Sequence, residues 1–436
     1  MFAFSLRQFS LLFLSLLLAV ALITSGCSED SADVPDGDAD IEANAENDTE
    51  AELGNETETE LETEPEPECT GQEPICEGES VVSCEDGQRV VTPCEEGTYC
   101  NYGTCAVSTV TFPTDAGFHA ERSEWWYYTG HLDSEGGRFG FEVTIFQYDL
   151  ESTYGVAGYG YMCHVGITDE SAGEHYHTDS LLLDTKEWTN DPIVLELDNC
   201  RFEIGGDGKD HIIGEIPEGK EKDDKISPWR IDITVEPVKR PALHGGDGII
   251  PMSDSGGQSY YYSYTLLTAD GTLSTPGGEF SVSGQAWMDH QWGQFDIVDF
   301  KGWDWWSMQF EDGWEIMLFQ FTDWEDQLAA QAGTLIDPDG NLTELEGIED
   351  FTIESQRSWE SPHTDGIYPL DWEISIPKMN WQLSVTTLID DQEMYNHAQN
   401  YWEGNTFISG TRDGVDVSGV GYTELTGYAT DILDPK

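Results

Sequence analysis

From about Val107 to the C-terminus, short runs of aromatic and β-branched residues alternate with turn residues, and this rhythm constrains the fold more than any other feature. Ser123 to Leu132, Arg138 to Tyr148, Tyr159 to Thr168, Tyr260 to Thr268, Glu279 to Trp287, Trp303 to Phe310, Trp314 to Phe321 and Trp381 to Thr387 read as strands. Asp270-Gly271, Asp312-Gly313, Asp339-Gly340 and Asp413-Gly414 read as hairpin turns, because Gly accepts the left-handed backbone that tight turns require. No helical pattern runs beyond a couple of turns. Roughly 330 residues of this kind exceed one ordinary β domain, so the sequence predicts an all-β protein with two antiparallel barrels or sandwiches.

The segment ahead of this region is organised differently. Arg7 is the sole charge near the start, and the apolar run Leu11 to Ile23 ends in Thr24-Ser25-Gly26-Cys27. That run falls short of the roughly 20 residues needed to span a bilayer. Small residues before a cysteine read as a cleaved lipoprotein signal, residues 1–27, with lipid on Cys27. The expectation is a protein of the cell envelope, anchored to the outer membrane rather than spanning it. Residues 28–68 hold no Lys, Arg or aromatic residue and many carboxylates, the composition of a disordered acidic stalk. Cys69, Cys76, Cys84, Cys94, Cys100 and Cys105 follow among turn residues, which in an oxidising compartment predicts a disulfide module over 69–105. Cys163 and Cys200 are placed to bridge two strands of the next domain.

Lys and Arg total 18 against 86 Asp and Glu, a net charge of -68. Such a surface repels phosphate backbones and excludes nucleic acid as a partner. No G-x-S-x-G elbow supplies a serine nucleophile. Asp337 to Asn341 reads as a turn rather than a calcium loop, and His175 and His177 read as solvated residues of an acidic loop, so neither metal nor cofactor is expected.

Chemistry concentrates in the aromatic blocks. Alternation places Trp125, Tyr127 and Thr129 on one strand face and Trp126, Tyr128 and Gly130 on the other. If one face points into a barrel lumen, it lines a dry, π-rich cavity for a small hydrophobic ligand. Asp289 and His290 end a strand beside such a cavity. A carboxyl among indoles is poorly solvated and holds its proton, and it can then protonate an alkene while π-faces shelter the cation.

Five motifs occur in order: Glu124-Trp125-Trp126-Tyr127-Tyr128-Thr129-Gly130-His131-Leu132, Trp287-Met288-Asp289-His290-Gln291-Trp292-Gly293, Gly302-Trp303-Asp304-Trp305, Tyr401-Trp402-Glu403-Gly404, and Gly419-Val420-Gly421-Tyr422-Thr423-Glu424-Leu425-Thr426-Gly427-Tyr428. Together they resemble the AttH/CrtC family from about residue 112 onward. The resemblance implies two lipocalin-like (calycin-type) β-barrels in tandem, 106–296 and 297–436, meeting near the Asp289 block. The family includes carotenoid 1,2-hydratases and fungal relatives that guide cyclisations. Their acid falls on Asp289, with Trp287 where hydratases carry Tyr and Gln291 where several relatives carry Glu. Upstream pocket positions fall near Tyr260 and Tyr262, with no His there. Two readings follow. One is an enzyme that hydrates, isomerises or cyclises a terpenoid, carotenoid or lipid-like alkene. In it Asp289 is the acid, His290 its orienter, and Trp125, Tyr127, Tyr260, Tyr262, Trp287, Trp303 and Trp305 the ligand wall. The other is a non-catalytic carrier of a hydrophobic ligand, in which Asp289 only braces the barrel mouth.

Overall fold

The structure, a computed structural model, describes residues 75–430 apart from 78–79, 86–87, 95–97, 102–103, 108, 152–156, 185–187, 189, 206–208, 219–227, 253–256, 296–299 and 396–398. The expected signal with Cys27, the stalk and Cys69 lie outside the described residues, as do the side chains of Cys76 and Cys100. One compact unit, Gln72–Ser83 with Val90–Asp434, carries the architecture below. The other unit is Met1–Gly71 with Cys84–Arg89 and Pro435; Cys84, among its few described residues, is disulfide-bonded. In the first unit Cys94 is bonded to Cys105, which lies in the second strand of a hairpin of Thr98–Asn101 and Thr104–Val107.

The first large sheet is built from β1 (Ser123–Ser134), β2 (Gly137–Asp149), β3 (Tyr159–Asp169), β4 (Glu174–Asp184), β5 (Ile193–Glu196), β6 (Cys200–Ile204), β7 (Asp210–Ile216), β8 (Trp229–Pro237), β9 (Gln258–Thr275) and β10 (Gly278–Gly293). Their order is β5-β6-β7-β8-β9-β10-β1-β2-β3-β4, antiparallel throughout. The path runs up and down, and the last strand returns to pair with the first. The second sheet repeats this plan with β11 (Gly302–Phe310), β12 (Glu315–Thr322), β13 (Leu328–Ile336), β14 (Leu342–Glu346), β15 (Thr352–Glu360), β16 (Ile367–Ile376), β17 (Trp381–Thr387), β18 (Glu393–Tyr395), β19 (Asn400–Arg412) and β20 (Val415–Thr426). Its order is β14-β13-β12-β11-β20-β19-β17-β16-β15, so β20 again pairs with the first strand, β11. The protein is therefore all-β, with two curled antiparallel sheets forming tandem lipocalin-like domains. A one-turn helix, α1 (Gly347–Asp350), sits between β14 and β15.

Alternation along the strands sorts the side chains into three apolar clusters. Trp126, Tyr128, Phe141, Val143, Leu273 and Met288 fill the concave face of the first sheet. Trp306, Met308, Trp372, Trp381, Trp402 and Leu425 fill that of the second. Tyr127, Tyr261, Trp287, Trp305, Met317, Phe321 and Tyr422 pack where the convex faces meet. Each fully buried aromatic contributes on the order of 2–3 kcal/mol by leaving water. Cys163 and Cys200 form a disulfide that ties β3 to β6, and closing their 37-residue separation removes roughly 4 kcal/mol of unfolded-chain freedom. Between the sheets, half-buried Lys239 binds both carboxyl oxygens of Glu315 at 2.7 and 2.9 Å, and the carbonyl of Asp337 at 2.8 Å.

One expected turn is corrected. Asp270-Gly271 lies inside β9, with Gly271 opposite Ile233 on one side and Val282 on the other, and the chain reverses instead at Pro276-Gly277. Gly271 is small for another reason, since a Cβ there would stand 2.1 Å from the Asp232 carbonyl oxygen of the neighbouring strand. The other three turns form as read, with Gly313, Gly340, Asp413 and Gly414 at positive φ.

Candidate active site

The lumen of the first barrel is filled, so the cavity lies elsewhere. Trp126, Tyr128, Tyr262 and Trp292 belong to the packed concave cluster, and the His290 ring packs against Trp126 and Trp292, each at 4.7 Å. The opposite faces of the same strands, with Trp125, Tyr127, Tyr261, Asp289 and Gln291, line a cavity against the second sheet. Trp303, Trp305, Phe319, Phe321, Tyr401 and Glu424 form its other wall. Its free volume is about 70 Å³, and its lining is mainly aromatic, so it is a narrow apolar cleft with a few polar groups on its walls. Tyr127 meets Trp305 edge-on at 5.4 Å, and Trp287 meets the same indole at 6.0 Å.

Asp289, only 3% exposed, is the most elaborated polar group there. Tyr261 donates its hydroxyl to Oδ2 at 2.6 Å, Trp287 donates Nε1 to Oδ1 at 2.6 Å, and the Ser263 hydroxyl donates to Oδ1. Register explains the set: Ser263 lies directly opposite Asp289 on β9, and Tyr261 and Trp287 are the next residues on that face. Burial pushes the carboxyl up to about 6, while the three donors pull the other way. Behind Ser263, His244 Nε2 lies 2.7 Å from its hydroxyl, and His244 Nδ1 lies 2.8 Å from Thr334 Oγ1. Burial lowers His244 to about 3, so the ring is neutral.

A second carboxyl faces the cavity. Burial raises Glu424 to about 7, a hydrogen bond from Trp303 opposes this, and repulsion from Asp289 and Asp304 adds to it. Behind the wall, Tyr127 donates to Glu403 Oε1 at 2.6 Å, and Tyr401 pairs with His164 Nδ1 at 2.7 Å. Glu403 is held well above the usual carboxylate range by burial and by Glu424, and burial takes Glu142 to about 8. Burial drops His164 to about 4.

Several sequence expectations are corrected by strand alternation. His290 points away from Asp289, into the first barrel, where its Nε2 lies 2.9 Å from Glu124 Oε1 and its Nδ1 lies 3.2 Å from the Tyr262 hydroxyl. It does not orient Asp289; Tyr261, Ser263 and Trp287 do. Tyr262 is buried on that same inner face and Tyr260 stacks on Trp292 at 5.2 Å, so neither lines the cavity, and their neighbour Tyr261 does. Trp287 stands behind the wall as a donor to Asp289, whereas Trp125, Tyr127, Trp303 and Trp305 line it. His175 and His177 are not solvated: they sit on β4, stacked on each other at 5.9 Å, with His177 buried. Asp304 turns away from the cavity and accepts a hydrogen bond from Tyr428 at 3.0 Å. Sequence reasoning missed Tyr261, Ser263, His244 and Glu424. Glu424 carried a signal in the last of the five motifs, and Tyr261 and Ser263 stood in the aromatic run Tyr260-Tyr261-Tyr262-Ser263; His244 carried none.

Among the described residues, one group brings metal-type donors together: His119, Glu124 and His290, with ligand atoms within 4.8 Å of one another. It lies inside the first barrel, and hydrogen bonds already satisfy it. Glu124 Oε1 meets His119 Nδ1 at 2.7 Å and His290 Nε2 at 2.9 Å, while Oε2 accepts the His119 backbone N–H at 2.9 Å.

Two lipocalin-like sheets, packed convex face to convex face around an aromatic cavity with carboxyls on both walls, define the class of protein. The chain belongs to the AttH-like family, whose model matches residues 105–428. The crystal structure of an AttH-type protein from Nitrosomonas europaea superposes with a TM-score of 0.63 at 27% identity, covering 73% of this chain and 97% of that one. Kievitone hydratase from Nectria haematococca shares the fold, with a TM-score of 0.55 at 16% identity over 71% of this chain and 89% of that one. In sequence, kievitone hydratase of Fusarium solani subsp. phaseoli is 24% identical over 204 residues, which are 44% of this chain and 56% of that protein.

Proposed function

We propose that this protein is a hydratase-like enzyme that adds water across an alkene of a hydrophobic molecule held between its two sheets, with Asp289 as the proton donor. The observation that carries the reading is a buried carboxyl at about 6 on the wall of an aromatic cavity. Near neutral pH such a group keeps a usable fraction of its proton, the condition for general-acid catalysis. Donors fixed at 2.6 Å by Tyr261 and Trp287 stabilise the carboxylate left after transfer. The flanking indoles and phenols of Trp305, Trp125 and Tyr127 offer π-faces to a developing cation. Similarity to part of a kievitone hydratase supports this reaction class. The further reading, that the chain works at the cell envelope tethered through a lipid on Cys27, rests on the sequence pattern; labelling with a palmitate analogue, lost in Cys27→Ser, tests it.

The decisive test incubates the protein with kievitone, lycopene and citronellol and follows products by mass spectrometry. A product heavier by one water, lost by roughly 100-fold or more in Asp289→Asn, is the expected result, with binding retained as read by tryptophan quenching. A wild-type protein that binds one of these molecules and returns it unchanged sinks the enzymatic reading and leaves a carrier.

A further inference from the structure

The two sheets are copies of one plan, and the copies place a carboxyl at equivalent positions. In the first sheet, the closing strand β10 sets Asp289 opposite Tyr127 of the opening strand β1 and opposite Ser263 of β9. In the second, the closing strand β20 sets Glu424 opposite Trp305 of β11 and opposite Glu403 of β19. Two residues before Ser263 stands Tyr261, and two before Glu403 stands Tyr401. These three pairs, Tyr127 with Trp305, Tyr261 with Tyr401 and Asp289 with Glu424, all line the same cavity from opposite walls. The match is one of backbone position, read from the ladders alone. Glu424 also keeps part of its surface bare to the cavity although it lies inside the fold.

We infer that Glu424 is the second reacting carboxyl of this cavity, the group that takes the proton from water as its oxygen bonds to the substrate. The inference rests on the hydration reading above and extends it to the other wall. Asp289, as the acid, gives its proton to one alkene carbon; the π electron pair becomes the new C–H bond, and the O–H pair stays on Asp289 as a carboxylate. Glu424 lies at about 7 and Asp289 at about 6, so the reactive form is the minority, roughly one in ten of the singly protonated pairs. In it a lone pair of water forms the C–O bond to the cationic carbon, and ionised Glu424 takes the proton released. The alkene has gained H and OH, and the carboxyl pair still holds one proton. Its return from Glu424 to Asp289 through cavity water restores the start.

The surroundings of each partner suit this division. Asp289 is faced by the donors Tyr261, Ser263 and Trp287, which steady the anion it becomes. Glu424 is faced by the Trp303 donor and by Asp304, and it in turn acts on Glu403 and Glu142, so it sits at the cavity end of a run of buried carboxyls. Charge on Asp289 is one of the causes that raise Glu424, so the titration of Glu424 answers to the state of Asp289 across the cavity.

Two measurements on the full chain test the inference. In D2O, with whichever of kievitone, lycopene or citronellol the wild type hydrates, Glu424→Gln is expected to lose hydration by about 100-fold or more. The same variant still places deuterium on the recovered alkene, because protonation by Asp289 precedes the lost step; Asp289→Asn loses both. Glu424→Asp restores part of the hydration. Without substrate, infrared difference titration of the Glu424 carboxyl, assigned by its absence in Glu424→Gln, is expected to move to lower pH in Asp289→Asn, because the charge on Asp289 helps raise it. A Glu424 titration unmoved by Asp289→Asn, or hydration within about twofold of wild type in Glu424→Gln, overturns the inference. A wild type that hydrates none of the three, with the titrations still coupled, sinks the hydration reading and with it the role of Glu424, while leaving the electrostatic pair in place.

Discussion

Replacing Tyr261 with Phe removes one oxygen and nothing else from the site, which makes it the sharpest probe of how Asp289 holds its proton. The lost hydroxyl donates to Asp289 Oδ2 at 2.6 Å. A hydrogen bond to a charged group is worth roughly 1.5–3 kcal/mol, and about 1.4 kcal/mol corresponds to a tenfold change in protonation. The donor favours the anion, so its loss favours the acid, and Asp289 is expected to move from about 6 to roughly 7–8. At pH 7 the protonated share then rises from roughly one molecule in eleven to at least half. The fold also pays a smaller cost, since Trp305 Nε1 loses its partner at 3.2 Å, roughly 1 kcal/mol. The assay is infrared or carbon-13 titration of the Asp289 carboxyl, set beside the pH profile of kcat/KM for a hydrated alkene. Both the titration and the alkaline limb of the profile should move upward together. A titration that stays in place or moves down would refute the claim that the three donors set the acidity of Asp289.

Two further substitutions test the interior electrostatics. Lys239→Met leaves Glu315, 1% exposed, without its cation and should cost about 3–5 kcal/mol near pH 8. Because burial already raises Glu315 to about 7, the unpaired carboxyl takes up a proton in acid, so urea unfolding should show a smaller loss at pH 5 than at pH 8. Glu142→Gln should do the opposite. The wild-type carboxyl keeps its proton in the fold up to about 8, whereas the unfolded chain releases it near pH 4.5, so this group lowers stability as pH rises between those values. Relative to wild type, the Gln variant should gain up to roughly 4 kcal/mol on going from pH 5 to pH 8; parallel pH dependences for the two proteins would contradict the assignment.

Much of the fold was legible in the chain because a strand announces itself locally. The runs at Ser123 to Leu132 and Trp381 to Thr387 were readable from alternation alone, and three of four Asp-Gly turns formed where the dipeptide stood. The fourth failed because Asp270-Gly271 answers to a neighbouring strand: the Asp232 carbonyl leaves no room for a Cβ at Gly271. A dipeptide cannot report on a partner strand distant in sequence. The histidines of β4 were misread for a similar reason, since their acidic neighbours in sequence are not their neighbours in space.

The candidate site divides along the same line. A period of two, fixed by backbone geometry, by itself determined that Trp125 and Tyr127 share a face and that Trp126 and Tyr128 share the other. It could not say which face would be the cavity, because both carry Trp and Tyr and either would bury well. Only the packing of one sheet on the other decided that. It sealed Trp126, Tyr262 and His290 inside the first barrel and turned Trp125, Tyr261 and Asp289 toward the second. The same packing brought His244 behind Ser263 and set Glu424 across the cavity from Asp289. Such meetings depend on which surfaces exclude water together, a property of the whole fold that no local spacing encodes.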